Sequence, residues 1–171
     1  TDDGEDKDYT VTYKREGEDG ETTDFTNAGK ITVEITGNGN FKDSRTITYV
    51  INKLNVKLTV DSQTKNYGEI TPEFTVKFDT ADAEGNSITV TEEVVGKIRD
   101  LLTMKVDGKS LVRDETVEGE TVKFEESEEE DKKLSEEPRD DYKVVVELGT
   151  SDNIELNKEA SKLDAEYTIY N

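Results

Sequence analysis

Alternation with a period of two residues constrains this chain more than any other feature. In LNVKLTV the side chains of Leu54, Val56, Leu58 and Val60 fall on one side of an extended backbone, and in FTVKF so do those of Phe74, Val76 and Phe78. YKVVVEL repeats the pattern with Tyr142, Val144, Val146 and Leu148, and AEYTIY with Ala165, Tyr167 and Ile169. Successive side chains of a strand point to opposite faces, so such runs build sheets with one buried and one solvated face. YTVTY (9–13), ITVEI (31–35) and TITYVI (46–51) obey the same rule, and ITV (88–90), MKV (104–106), SLV (110–112) and TVKF (121–124) read as shorter strands. The fold class that follows is mostly β, built on antiparallel strands.

One segment has a different period. In TEEVVGKIRDLL (91–102), Val94, Ile98, Leu101 and Leu102 form an apolar helical stripe, Thr91 can cap the first turn, and Glu92 and Glu93 suit the positive end of the helix dipole. Gly96 works against this helix. The stripe is expected to be core, because the surrounding strands need a lid. An immunoglobulin-like sandwich and a β-grasp arrangement both accommodate the strand, strand, helix, strand order.

The turn TGNGNFKDS separates the second and third strands with glycines and asparagines that tolerate positive φ. Residues 1–52 therefore read as a small antiparallel unit, truncated or leaning on its neighbour, since three strands are few for an independent sandwich. NKLN (52–55) joins the third strand to LNVKLTV without glycine or proline, a stiff hinge favouring an end-to-end arrangement. The boundary is placed there, with a second module over 53–171.

Charge and missing residue types narrow the chemistry. The 42 Asp and Glu against 22 Lys and Arg leave a formal net charge of −20, which repels nucleic acid and anionic membranes. Residues 1–24 and 125–141 each carry ten acids and three bases, so together they hold −14 of that charge. The second stretch, EESEEEDKKLSEEPRDD, reads as a solvated acidic insertion between strands. With no cysteine, histidine or tryptophan, the chain lacks disulfides, thiolate or imidazole metal sites, the usual nucleophilic triads and the strongest sugar-stacking ring. A hydrolase would have to work with carboxylates alone, and no enzyme activity is expected. No run approaches the roughly 20 apolar residues of a membrane-spanning helix, so no membrane insertion is expected. TDDGEDKD at the start is the reverse of a signal peptide, and the chain reads as a piece of something longer.

Three constellations remain. TKNYGEITPEF (64–74) spends a Tyr-Gly pair and one of two prolines on a connection between strands. Gly68 is expected to supply a conformation that a side chain would penalise, Pro72 to preset a turn, Tyr67 to cover an open sheet end with its ring, and Phe74 to begin the next strand inward. DTADAEGN offers Asp79, Asp82, Glu84 and Asn86 as hard oxygen ligands for calcium, with Glu93 further on; the competing reading is a solvated turn. The amino-terminal DDGEDKD carries the same ambiguity. A lysine isopeptide bond is disfavoured because Lys57, Lys77 and Lys143 alternate with core positions and point to solvent.

DYTVTY…NAGKITVEITGNGNFKDSRTITYVI, residues 8–51, resembles the repeat of very large bacterial surface proteins, with its DYTVTY strand, N-A-G turn, TVTITG strand, G-N-F turn and closing strand. TKNYGEITPEF, followed much later by EYTIYN, resembles the MBG-type ("mostly beta, gut") repeat and its K-x-Y-G…P-x-F signature over residues 54–171. Tyr67, Gly68, Pro72 and Phe74 stand at that spacing, whereas the helix and the acidic insertion depart from the pattern. The resemblance implies an extracellular repeat module at the cell surface or cell wall of a bacterium, most familiar from gut bacteria, with neighbouring repeats of the same chain as its partners. The expected function is a structural spacer. The alternative is an adhesive module for host mucin, other glycoprotein or polysaccharide, and a carboxylate hydrolase is a distant third. Binding calls for a grouped, exposed aromatic patch, while alternation turns most of the seven tyrosines and five phenylalanines inward.

Overall fold

The computed structural model describes residues 8–116 and 119–171, and the chain divides into one unit ending at Lys53 and another spanning Leu54–Asn171. In the first unit β1 (Tyr9–Arg15), β2 (Gly29–Gly37) and β3 (Ser44–Ile51) form a single antiparallel sheet in that order. The register sets Tyr13 opposite Val33 and Val33 opposite Ile47, with Arg15, Ile31 and Tyr49 in the next row. Except for Val50, the apolar residues of the three strands therefore share one face. Residues 16–28 fold over one end of that face around Arg15, whose guanidinium donates to the carbonyls of Asp24 (2.7 Å), Ala28 (3.0 Å) and Asn27 (3.2 Å). Phe25 meets Tyr13 edge-on with ring centroids 5.1 Å apart. Ile31 and Val33 are buried beneath this cover, but Tyr9, Tyr13, Ile47 and Tyr49 stay exposed.

The second unit contains β4 (Leu54–Val60), β5 (Gln63–Asn66), β6 (Phe74–Ala81), α1 (Glu92–Leu101), β7 (Leu102–Val106), β8 (Lys109–Ser110), β9 (Val112–Arg113), β10 (Thr121–Glu125), β11 (Arg139–Leu148), β12 (Ile154–Leu156) and β13 (Asp164–Tyr170). Two five-stranded sheets result, ordered β12-β4-β6-β10-β9 and β5-β13-β11-β7-β8. Val56, Leu58, Phe74, Phe78 and Phe124 from the first meet Met104, Val106, Val144, Val146 and Tyr167 from the second in one core. Each such buried side chain contributes about 1.5–3 kcal/mol. Across the interface Phe74 and Tyr167 stand nearly perpendicular, with centroids 5.2 Å apart. This is a two-sheet sandwich, and the β-grasp alternative, one sheet wrapped on a helix, does not describe it. Helix α1 links β6 of one sheet to β7 of the other and buries Val95 and Ile98 in the shared core.

Several local expectations change. Thr91 precedes α1 in an extended conformation but makes no side-chain capping bond, and Leu102 caps the helix end while beginning β7, leaving the helical stripe shorter by one residue. ITV (88–90) forms no strand; Ser87 makes a lone bridge to Ala81, because exposed Ile88 has no face to bury. SLV splits at buried Leu111, so that β8 lies in one sheet and β9 in the other. β5 and β12 were not foreseen, and both pair in parallel, β5 with β13 and β12 with β4.

Candidate functional sites

The stretch 64–74 closes one end of the sandwich, and its principal residue is Lys65, not Tyr67. β5 aligns Lys65 with Ile169, which aims the lysine inward. The side chain is 2% exposed, and its ammonium donates to Glu136 Oε2 at 2.6 Å and to the Glu69 carbonyl at 3.0 Å. Thr71 lies 3.5 Å from the same ammonium and donates its hydroxyl to Glu126 Oε2 at 3.2 Å. The Tyr167 phenol packs beside this group near Thr71, and burial, with Glu136 nearby, pushes its pKa up to about 12. Tyr67 was expected to cover the sheet end, but its ring is 65% exposed; only its backbone N–H, donating to the Tyr170 carbonyl at 2.8 Å, serves the sheet. Gly68 adopts φ of 84°, the left-handed conformation expected of it, and Phe74 is fully buried. Pro72 sits in the irregular run just before β6. The Asn66 backbone N–H bonds the Glu69 carboxylate at 2.7 Å and holds that carboxyl below its ordinary pKa.

The acidic insertion 125–141 is docked and not merely solvated. Leu134, its one large aliphatic residue, enters the core, and its N–H donates to Glu126 Oε1 at 2.6 Å. Lys109 donates to the Lys133 carbonyl at 2.5 Å, and Glu136 supplies the partner of Lys65. An acid-rich segment is thereby tied down by two lysines and one leucine. Sequence reasoning missed Lys65 because a charged residue gives no apolar signal, although it is the first letter of K-x-Y-G. Lys57, Lys77 and Lys143 are exposed, as alternation requires.

Asp79, Asp82, Glu84 and Asn86 do not converge on a common point. The Asp82 carboxylate accepts from the backbone of Asn86 (2.8 Å) and Glu84 (3.0 Å) and from the Asn86 amide (3.0 Å). These bonds, the Asn86 amide first, hold its carboxyl below the ordinary pKa and staple a turn in which Gly85 takes φ of 86°. Asp79 lies on β6 opposite Lys57, and Glu93 pairs with Lys97 at 2.6 Å. No group of three or more acidic side chains placed to hold a metal ion occurs among the described residues. DDGEDKD lies outside the described residues except for Asp8.

A third site was not anticipated. At the β2–β3 turn of the first unit a concavity of about 590 Å³ is lined by Tyr9 and Ile35 from the sheet and by Phe41 and its neighbours from the turn. Gly37 makes it possible, because a Cβ there would stand 2.6 Å from the Phe41 carbonyl oxygen. The turn is fixed by Gly37 N–H to the Asp43 carbonyl (2.9 Å), Asn38 N–H to the Asp8 carbonyl (2.7 Å) and the Asn38 amide to Thr10 Oγ1 (2.8 Å). Tyr9 is 54% and Phe41 59% exposed, and Tyr13, Phe25 and Tyr49 are exposed as well. The inward placement expected of the aromatics thus fails in this unit, whose described residues contribute a single sheet and no second one of their own. Comparison with protein-family models gave no match, and comparison with curated proteins gave none either.

Proposed function

We propose that this chain is a pair of spacer modules from a bacterial cell-surface protein, extracellular and linked to like modules, whose work is to bear tension while holding other domains away from the cell. The observation that carries this reading is the parallel pairing of β5 with β13, in register from Gln63 with Tyr167 to Asn66 with Tyr170. A pull through Leu54 and Asn171 loads β4 from its first residue and, past Val60, β5 from its start, while β13 is loaded from its end. Parallel strands loaded in that way slide along each other, so their hydrogen bonds are strained together and not one at a time. The β12–β4 pair adds a second parallel contact at the other edge. The Lys65–Glu136 ion pair, on β5 itself, supports the same clamp.

Single-molecule stretching tests this reading, because forced unfolding reads the unfolding rate along a chosen direction. With handles at Leu54 and Asn171 the second unit is expected to unfold at a clearly higher force than with handles at Thr103 and Glu147, which unzip the antiparallel β7–β11 pair from one end. Equal forces in the two geometries would remove the load-bearing reading. The exposed aromatic face of the first unit favours an additional binding role, which does not depend on tension.

A further inference from the structure

We propose that the concavity at the β2–β3 turn of the first unit binds a neutral saccharide of about disaccharide size. This site is independent of the load-bearing reading, which rests on the second unit.

The volume, about 590 Å³, falls in the range of small-molecule sites, roughly 300–1,000 Å³. Tyr9 and Phe41 offer two exposed aromatic faces at its wall, the flat apolar surface on which the C–H face of a sugar ring packs. Around them stand groups suited to hydroxyls: Asp43 as acceptor, Lys42 and Arg45 as donors, and Asn40 as both. None of these four side chains is engaged in an ion pair or hydrogen bond with another described residue. With Asp8 also on the rim, two carboxylates balance two cations, so the site supplies hydrogen bonds in both directions without a net charge to select an ionic ligand. The −20 charge of the chain disfavours sulfated, sialylated or uronate sugars at a distance. The turn is held by backbone bonds and by the close approach at Gly37, so binding requires little ordering of the protein.

The test uses the whole 171-residue chain and a panel of neutral disaccharides, cellobiose, maltose, lactose, mannobiose and chitobiose, read by saturation-transfer NMR and by titration of backbone amide shifts. At least one sugar is expected to bind saturably, with shifts confined to Tyr9 and residues 35–45. Phe41→Ala removes an exposed ring and leaves the fold intact by circular dichroism; it is expected to weaken binding at least about tenfold, the loss of one stacked face. Tyr170→Ala, an exposed ring in the other unit, is expected to change nothing. Three results would each overturn the proposal: no binding by any member of the panel at millimolar concentration, binding that Phe41→Ala leaves unchanged, or preference for sialyllactose over lactose that disappears in salt. Stretching of the second unit is unaffected by any of them.

Discussion

Lys65 shows how a single charged residue can be structural. Its ammonium is enclosed while its partner Glu136 is half exposed, so the two ends of the pair respond differently to deletion. Removing the carboxylate leaves a cation buried without its counter-charge, whereas replacing the lysine with an apolar side chain of similar length leaves only a solvated acid behind. Glu136→Ala is therefore expected to lower the urea midpoint more than Lys65→Met. Equal midpoints for the two variants would mean that the Glu69 carbonyl and Thr71 satisfy the ammonium without Glu136. The residues legible beforehand were those whose chemistry agrees with their place, such as Phe74 inward, Lys57 outward and Gly68 at positive φ. Lys65 and Tyr67 exchange the roles that polarity assigns them. Residues two apart on one strand share a face, so what separates them is that β5 ends at Asn66 while Tyr67 enters the turn with Gly68, and that end is set by the pairing with β13 in another part of the chain.

At the scale of elements, the long strands announce themselves because each has its own apolar period. β5 (QTKN) and β12 (IEL) do not: one is polar throughout and the other is three residues long. They exist because β13 and β4 present open edges to them. The insertion at 125–141 is largely exposed, as its acids imply, but its anchor was not legible, since ten acids outweigh a single Leu134 in composition though not in packing. Helix α1 offers a direct test of local propensity against context. Gly96 lies mid-helix, and a Cβ added there meets nothing within 4 Å. Gly96→Ala is expected to stabilise the second unit by about 1 kcal/mol, the difference in helix propensity, seen as a higher midpoint with unchanged slope in urea. A lower midpoint would show that the helix does not accommodate a β-carbon at position 96.

Across the whole molecule, acidity is the dominant trait and its titration is simple. The shifted carboxyls, Asp82, Asp107, Asp114 and Glu69 among them, lie below their ordinary pKa because N–H and O–H donors favour the ionised form. A carboxyl lowered in the folded state contributes stability above its unfolded pKa and loses it as pH falls through the folded one. Without histidine or cysteine, no side chain has an ordinary pKa between the carboxylates and tyrosine. Urea midpoints are expected to match at pH 5.5 and 8 and to fall steadily below about pH 4. A midpoint that moves between 5.5 and 8 would contradict this account. The parallel pairing of β5 and β13 also has a temporal meaning. Contacts such as Ser62 with Glu166 close a separation of 104 residues, and among the described residues β5 pairs with β13 alone. A chain emerging in order therefore carries β5 unpaired until β13 is out, so that this unit completes its fold only once its whole length has been delivered.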